Sequence, residues 1–300
     1  MLKVLFSERK YTLNILIYAV LILALFFVLV MAVDCNRFVI KEYKCRSSKL
    51  RKDALIVLLS DLHGKSFGKN NEKLIRAIDE LHPDMILIAG DMYTSMRGSD
   101  TKTAEHLVTE LASRYPIYYG NGNHEQKTRI FPEEYGSMYE DYSEKLREAG
   151  VRQLVNEKSS LLDYHMDIYG SEIERGYYGK FKRVTMEPSY LEKTLGKPDR
   201  ERFSILIAHN PDYFESYAAW GADLVVAGHV HGGLMNLPVL GGVLSPALRL
   251  FPKYDGGEFT EGESTMILSR GLGTHTLPIR IFNPGELVII RLQPSGEQQA

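Results

Sequence analysis

Residues 54–63 read ALIVLLSDLH, an apolar run that ends abruptly in Asp61 and His63. A run this short, continuous rather than alternating, fits a strand buried on both faces. Residues 85–91, MILIAGD, repeat the design and close on Gly90-Asp91. Between them, Leu74, Ile78 and Leu81 recur at helical spacing over residues 70–81. Strand, helix and strand in succession predict an α/β domain. The same reading continues with a helix over 101–115, a strand at 117–120 and a charged surface helix over 134–150. Further strands are expected at 168–170, 204–208 (SILIA), 224–227, 265–269 and 286–291, with a helix over 211–220. Beyond residue 264 the strands read as antiparallel and hairpin-connected.

The chain has 300 residues, 44% hydrophobic and 25% charged, with a net charge of −2. This is enough apolar material for a sizeable core. It lacks the strongly basic balance of a nucleic-acid-binding domain, so no nucleic-acid partner is expected, and no protein partner is predicted. Cys35 and Cys45 are the only cysteines, which excludes a disulfide scaffold and a cysteine-based zinc site. No phosphate-binding loop of the Walker type and no G-x-S-x-G elbow occurs.

Residues 12–33, TLNILIYAVLILALFFVLVMAV, carry no charge. As a helix they cover a hydrocarbon core of roughly 30 Å, and the run is longer than the apolar part of a signal peptide. The expected organisation is a short flank at 1–11, a transmembrane anchor at 12–33 and a basic juxtamembrane linker at 34–53. One catalytic domain at 54–292 and a polar tail at 293–300 follow. The protein is therefore expected in the cell membrane as a single-pass protein. Arg37, Lys41, Lys44, Arg46, Lys49, Arg51 and Lys52 follow the span, and they suit either a cytoplasmic domain or contact with anionic headgroups.

Five short motifs end apolar runs: Asp61-Leu62-His63, Gly90-Asp91, Gly122-Asn123-His124-Glu125, Ala208-His209-Asn210, and Gly228-His229-Val230-His231-Gly232-Gly233. In an open α/β sheet, ligands bind beyond the C-terminal ends of the strands, so these side chains are aimed at one place. Aspartate and histidine are ligands for divalent zinc, manganese or iron. Two carboxylates with several imidazoles suit two ions if one carboxylate bridges them. His229 and His231, one residue apart, are expected on the same side of an extended segment. Each motif alone is ordinary; the five together are not.

In this order the motifs resemble the calcineurin-like metallophosphoesterases, whose pattern is D-x-H, G-D, G-N-H-[DE], H and G-H-x-H. The resemblance runs from about residue 55 to 292. Residues 269–273 (SRGLG) and 278–280 (PIR) are similar to the membrane-associated bacterial subgroup, in which H-G-G-Q is common where Leu234 stands here. The resemblance implies a four-layer α/β/β/α sandwich of two mixed β-sheets flanked by helices, preceded here by the transmembrane helix. It implies two divalent metal ions, one held by Asp61, His63 and His231, the other by Asn123, His209 and His229, with Asp91 bridging. His124 is implied beside the scissile phosphate, either stabilising the transition state or protonating the leaving oxygen. The implied activity is hydrolysis of a phosphodiester, monoester or pyrophosphate by hydroxide formed at the metals, with phosphodiester favoured. Glu125 is expected as a hydrogen-bond partner or surface carboxylate.

The anchor points to a phosphorylated substrate that is lipid-linked or envelope-associated. The competing readings are a nuclease of the same superfamily and a catalytically silent membrane scaffold. His82 reads as a helix cap or surface residue, while His106 and His165 lack any motif. His275 lies in a loop that could reach the rim of the site. Residues 171–202 are either a solvated excursion or a cap in which Arg175, Lys180, Lys182 and Arg183 attract an anion. The stretch 237–251 is apolar enough to touch a membrane or to be buried.

Overall fold

The apolar run at residues 54–59 is a strand whose two faces feed different cores. Val57 and Leu59 pack toward helices, whereas Ile56 and Leu58 pack toward a second sheet. This is seen in a computed structural model that describes residues 2–96, 98–179, 184–233, 235–237, 241–243, 250–274 and 278–296, with side chains from residue 11 onward.

The strands in chain order are β1 (Phe38–Ser47), β2 (Ala54–Leu59), β3 (Met85–Ala89), β4 (Ile117–Gly120), β5 (Arg152–Gln153), β6 (Glu157–Leu161) and β7 (Met166–Ser171). They continue with β8 (Phe203–Ala208), β9 (Leu224–Ala227), β10 (Asn236–Leu237), β11 (Gly241–Gly242), β12 (Gly257–Glu261), β13 (Ser264–Leu268) and β14 (Gly285–Pro294). The helices are α1 (Leu2–Asp34), α2 (Glu72–Leu81), α3 (Lys102–Ala112), α4 (Asn123–Ile130), α5 (Pro132–Tyr135), α6 (Met138–Glu148), α7 (Tyr190–Leu195) and α8 (Phe214–Trp220).

One sheet has the order β1-β14-β2-β3-β4-β5, the other β12-β13-β9-β8-β7-β6. Both are mixed. In the first, β2 to β5 run parallel and β14 runs antiparallel to β2. In the second, β7, β8, β9 and β13 run parallel between antiparallel edges β6 and β12. The sheets face each other across Ile56, Leu58, Leu87, Ile168, Ile205, Val226, Ile267 and Ile290. Leu74 and Ile78 of α2, Leu107 and Leu111 of α3 and Leu146 of α6 cover the outer face of the first sheet. Phe214, Tyr217 and Trp220 of α8 cover the second. The result is the four-layer α/β/β/α sandwich expected.

Three expectations need correction. The segment read as a linker at 34–53 contains β1, paired in parallel with β14 over ten residues. Its basic residues misled because they sit on an edge: Lys44 and Arg46 point outward while Tyr43 and Cys45 pack on the core. Charged side chains protect such an edge from further pairing. The strands after residue 264 do not form one hairpin-connected group, because β13 pairs in parallel with β9 and β14 crosses to the other sheet. Residues 287–290 of β14 (LVII) form a continuous apolar, buried run, which suits an interior place between β1 and β2. The helix expected over 134–150 is broken at Gly136, whose φ of 61° and ψ of −141° separate α5 from α6.

Within α1, residues Tyr11–Asp34 form a helix long and apolar enough to cross a membrane, with its apolar window not buried against the domain.

Candidate metal centre

Asp61 and His63 follow β2, Asp91 follows β3, and Asn123 and His124 open α4 directly after β4. From the other sheet, His209 follows β8, and His229 and His231 follow β9. Every one of these positions lies beyond a strand's C-terminal end, where the two sheets converge.

Backbone geometry at these turns is unusual. Asp61, His63, Asp91, His229 and His231 all take positive φ, between 49° and 75°. For residues with a Cβ this costs on the order of 1 kcal/mol each, and such strain gathers at functional sites. Neighbouring loops hold the turns: Asp61 N–H donates to Gly90 O at 2.9 Å, His63 N–H to Asp91 O at 3.1 Å, and Gly228 N–H to His209 O at 3.1 Å. The left-handed turns also overturn the expectation that His229 and His231 share one side of an extended segment. His231 joins Asp61 and His63, whereas His229 joins Asp91 and His209.

In these two groups the candidate ligand atoms lie within 4.8 Å of one another, as they do in a third made of His63, Asp91 and His124. His231 Nε2 is 3.3 Å from Asp61 Oδ1 and 3.1 Å from His63 Nε2. Asp91 Oδ2 lies between the groups, 3.1 Å from His209 Nε2 and 3.9 Å from both His63 Nε2 and His124 Nε2. Two glycines admit the carboxylates. A Cβ on Gly122 would collide with the Asp91 carboxylate, and one on Gly228 with that of Asp61.

The electrostatics call for positive charge. Asp61 and Asp91 are both buried. Burial pushes Asp61 up to about 6, with the neighbouring Asp91 adding to it. Burial also raises Asp91, but His209, His124 and His63 outweigh it and hold that carboxyl well below its usual range. Burial pulls His209 down, yet the charge of Asp91 and Asp61 pushes it up to about 10.

The donor set fits divalent ions. His209 Nδ1 lies 2.6 Å from Ala89 O and donates there, which directs Nε2 at Asp91. Asn123 Oδ1 is buried and makes no hydrogen bond, as suits an amide oxygen reserved for a cation. His124 carries the opposite tautomer. Its Nδ1 accepts the Ser95 backbone N–H at 2.8 Å, so the neutral ring holds its proton on Nε2, facing the site. Burial lowers its pKa, which favours that neutral ring.

Further residues support the site from behind and from its edge. Glu125 is fully buried, so it is a hydrogen-bond partner and not a surface carboxylate. It accepts from Asp91 N at 2.9 Å, Met92 N at 2.8 Å, Gly122 N at 2.9 Å and Tyr119 Oη at 2.8 Å. Replacing it by alanine would leave several buried donors without an acceptor, at about 1–3 kcal/mol each. Glu125→Ala is therefore expected to destabilise the fold by roughly 4 kcal/mol. Chemical denaturation measures this, and a loss below about 1 kcal/mol would contradict it.

Tyr178, on a 3-10 turn at Arg175–Tyr178, sets its ring 5.3 Å from His229 and 6.4 Å from His209. Arg175 Nη1 comes within 3.4 Å of Asn123 O. Part of the segment at 171–202 thus packs onto the site, whereas Lys180, Lys182 and Arg183 lie outside the described residues, as do Leu234 and His275. His82 caps α2 in a left-handed conformation, and His165 Nδ1 contacts Lys49 O at 3.0 Å, away from the site.

A family model described as calcineurin-like phosphoesterase matches residues 54–233. The chain is 28% identical over 261 residues to an uncharacterized metallophosphoesterase of Campylobacter jejuni, covering 85% of this chain and 63% of that protein. It is 27% identical to an uncharacterized metallophosphoesterase of Bacillus subtilis, covering 80% of this chain and 79% of that one. It is 26% identical to a transmembrane protein with metallophosphoesterase domain from Danio rerio, covering 79% and 53%. The chain thus spans less than two thirds of the Campylobacter relative.

Proposed function

This chain belongs to the calcineurin-like phosphoesterase family, and on that premise we propose that it is a membrane-anchored hydrolase of phosphoesters that works with two divalent ions. The observation that carries the reading is the position of Asp91 Oδ2, within 3.1 to 3.9 Å of three histidines and between two groups of candidate ligands. Asp61, His63 and His231 would hold one ion, Asn123, His209 and His229 the other, with Asp91 shared. Manganese, zinc and iron all suit this set of imidazoles, carboxylates and one amide. Bound there, the ions would lower the pKa of a water toward neutrality and stabilise charge on the phosphoryl oxygens.

The chain's own groups supply orientation and hydrogen bonding. Glu125 fixes the turn that carries Asp91 and the start of α4 together. His124 offers Nε2–H to a phosphoryl oxygen, while the Ser95 N–H, which cannot turn round, opposes a second proton on Nδ1. This favours transition-state stabilisation by hydrogen bonding over general-acid catalysis. Arg175, at the edge of Asn123, adds positive charge where an anionic substrate would enter. The anchor is α1, and a phosphodiester at the membrane surface is the preferred substrate.

The test is turnover of chromogenic phosphomonoester and phosphodiester by the full chain, stripped of metal and reloaded with manganese, zinc or iron. Metal-dependent release, faster for the diester, is expected. No release from either ester with any of the three metals would contradict the reading.

A further inference from the structure

The end of α1 is built into the rim of the metal site. Asp34, its last residue, is buried and accepts the Asn283 backbone N–H at 3.1 Å. Asn283 is fully buried, and its Nδ2 donates to His231 O and Gly233 O, both at 2.7 Å. A single residue therefore joins the apolar helix to the left-handed turn carrying His231. Beside it, Phe282 sets its ring 6.3 Å from Phe26 and 6.2 Å from Phe27, and Cys35 Sγ reaches Pro278 O at 3.4 Å.

From Phe282 a ribbon of short segments runs across the rim. Asn236 N donates to Ile281 O at 3.0 Å, Val243 N to Met235 O at 2.9 Å, and Phe251 N to Val243 O at 3.1 Å. Segments paired at about 4.8 Å spacing put Phe251 roughly 15 Å from Ile281. The ribbon lies against the metal loop, since Asn236 Nδ2 approaches Gly232 O at 3.4 Å and a Cβ on Gly242 would meet the same oxygen at 2.8 Å. Along it Leu250 is 68% exposed, Phe251 58% and Phe282 38%. Large exposed apolar side chains next to a site mark a surface that meets something apolar.

The helix says what that is. Residues Tyr11–Asp34 span 24 positions, about 36 Å at 1.5 Å per residue, which exceeds a hydrocarbon core of about 30 Å. Asp34 then stands at headgroup depth, and the turn hydrogen-bonded to it through Asn283 stands nearby. Lys65 Nζ, 2.8 Å from Asn36 Oδ1, and the half-exposed Arg37 place cations at the same level, as anionic headgroups favour.

We propose that this rim rests on the bilayer that α1 enters, and that the substrate is a phosphate ester of a membrane lipid. Its acyl part stays in the bilayer while its phosphate reaches the site, so no extraction into water is needed. This deepens the phosphoesterase reading and rests on it.

The experiment uses the full chain reloaded with manganese in phosphatidylcholine vesicles carrying phosphatidylglycerol and, in parallel, phosphatidic acid. A water-soluble chromogenic phosphodiester serves as the second substrate. Leu250→Ser/Phe251→Ser, two exposed side chains outside the candidate ligand set, is expected to lose about tenfold on the vesicle lipid, for two apolar side chains withdrawn from the interface. Its turnover of the soluble ester should stay within about twofold of wild type. Equal turnover of vesicle lipid by variant and wild type, or equal loss on both substrates, would overturn the proposal. Turnover of the soluble ester with neither lipid cleaved would overturn it too, pointing to a protein partner for the rim. A wild-type chain inactive on every substrate would instead sink the phosphoesterase reading itself.

Discussion

Replacing Asp91 by asparagine is expected to abolish phosphoester turnover and metal retention together. Asp91 Oδ2 lies between the two groups of candidate ligands, and a neutral amide there would remove the one negative charge both ions would share. Bound ions would contribute several kcal/mol of transition-state stabilisation, so losing about 4 kcal/mol would lower turnover by about a thousandfold. The fold should survive. Asp91 Oδ1 accepts the His124 N–H at 2.9 Å, and asparagine keeps that oxygen. Its amide nitrogen then faces His209, a neighbour that can accept. Turnover with excess manganese, metal content and the thermal midpoint together check this. A variant that kept metal and lost turnover alone would show that Asp91 is not the shared ligand.

Replacing His124 by alanine is expected to leave metal content unchanged and to slow turnover by about 10²–10³-fold, the cost of losing one preorganised hydrogen-bond donor. The tautomer makes a sharper prediction. With Nδ1 accepting the Ser95 N–H, the ring would donate from Nε2 to an oxygen that stays on phosphorus. The loss should then be similar for esters with good and poor leaving groups. A general acid behaves differently, because its removal hurts most when the leaving group is a strong base. Turnover across esters of graded leaving-group acidity separates the two. A loss that grows steeply with leaving-group basicity would contradict the hydrogen-bonding role.

The sandwich and the strand ends were legible because they depend on short, continuous apolar runs. ALIVLL, MILIA and SILIA are buried on both faces, and that requirement shows directly in their composition. What followed the runs was less legible. The left-handed backbone of His229 and His231 carries no signature in residue type, so the spacing suggested a shared side while the turns send the two rings to different groups. β1 was hidden by its charges, since an edge strand that follows a long apolar helix has the composition of a basic linker. α4 was hidden because NHEQKTRI has little apolar periodicity. Its start is set instead by Glu125, which accepts the N–H of the capping residue Gly122 and ties it to the loop of Asp91 and Met92. Ser95, Tyr178 and Asn283 act through contacts between segments far apart in sequence, which no local pattern encodes.

The metal content of the wild-type chain tests the central claim most directly. After removal of bound metal and equilibrium dialysis against manganese, elemental analysis should count two ions per chain, and fewer than one in the Asp91→Asn variant. A wild-type chain that binds no metal above background would contradict the account.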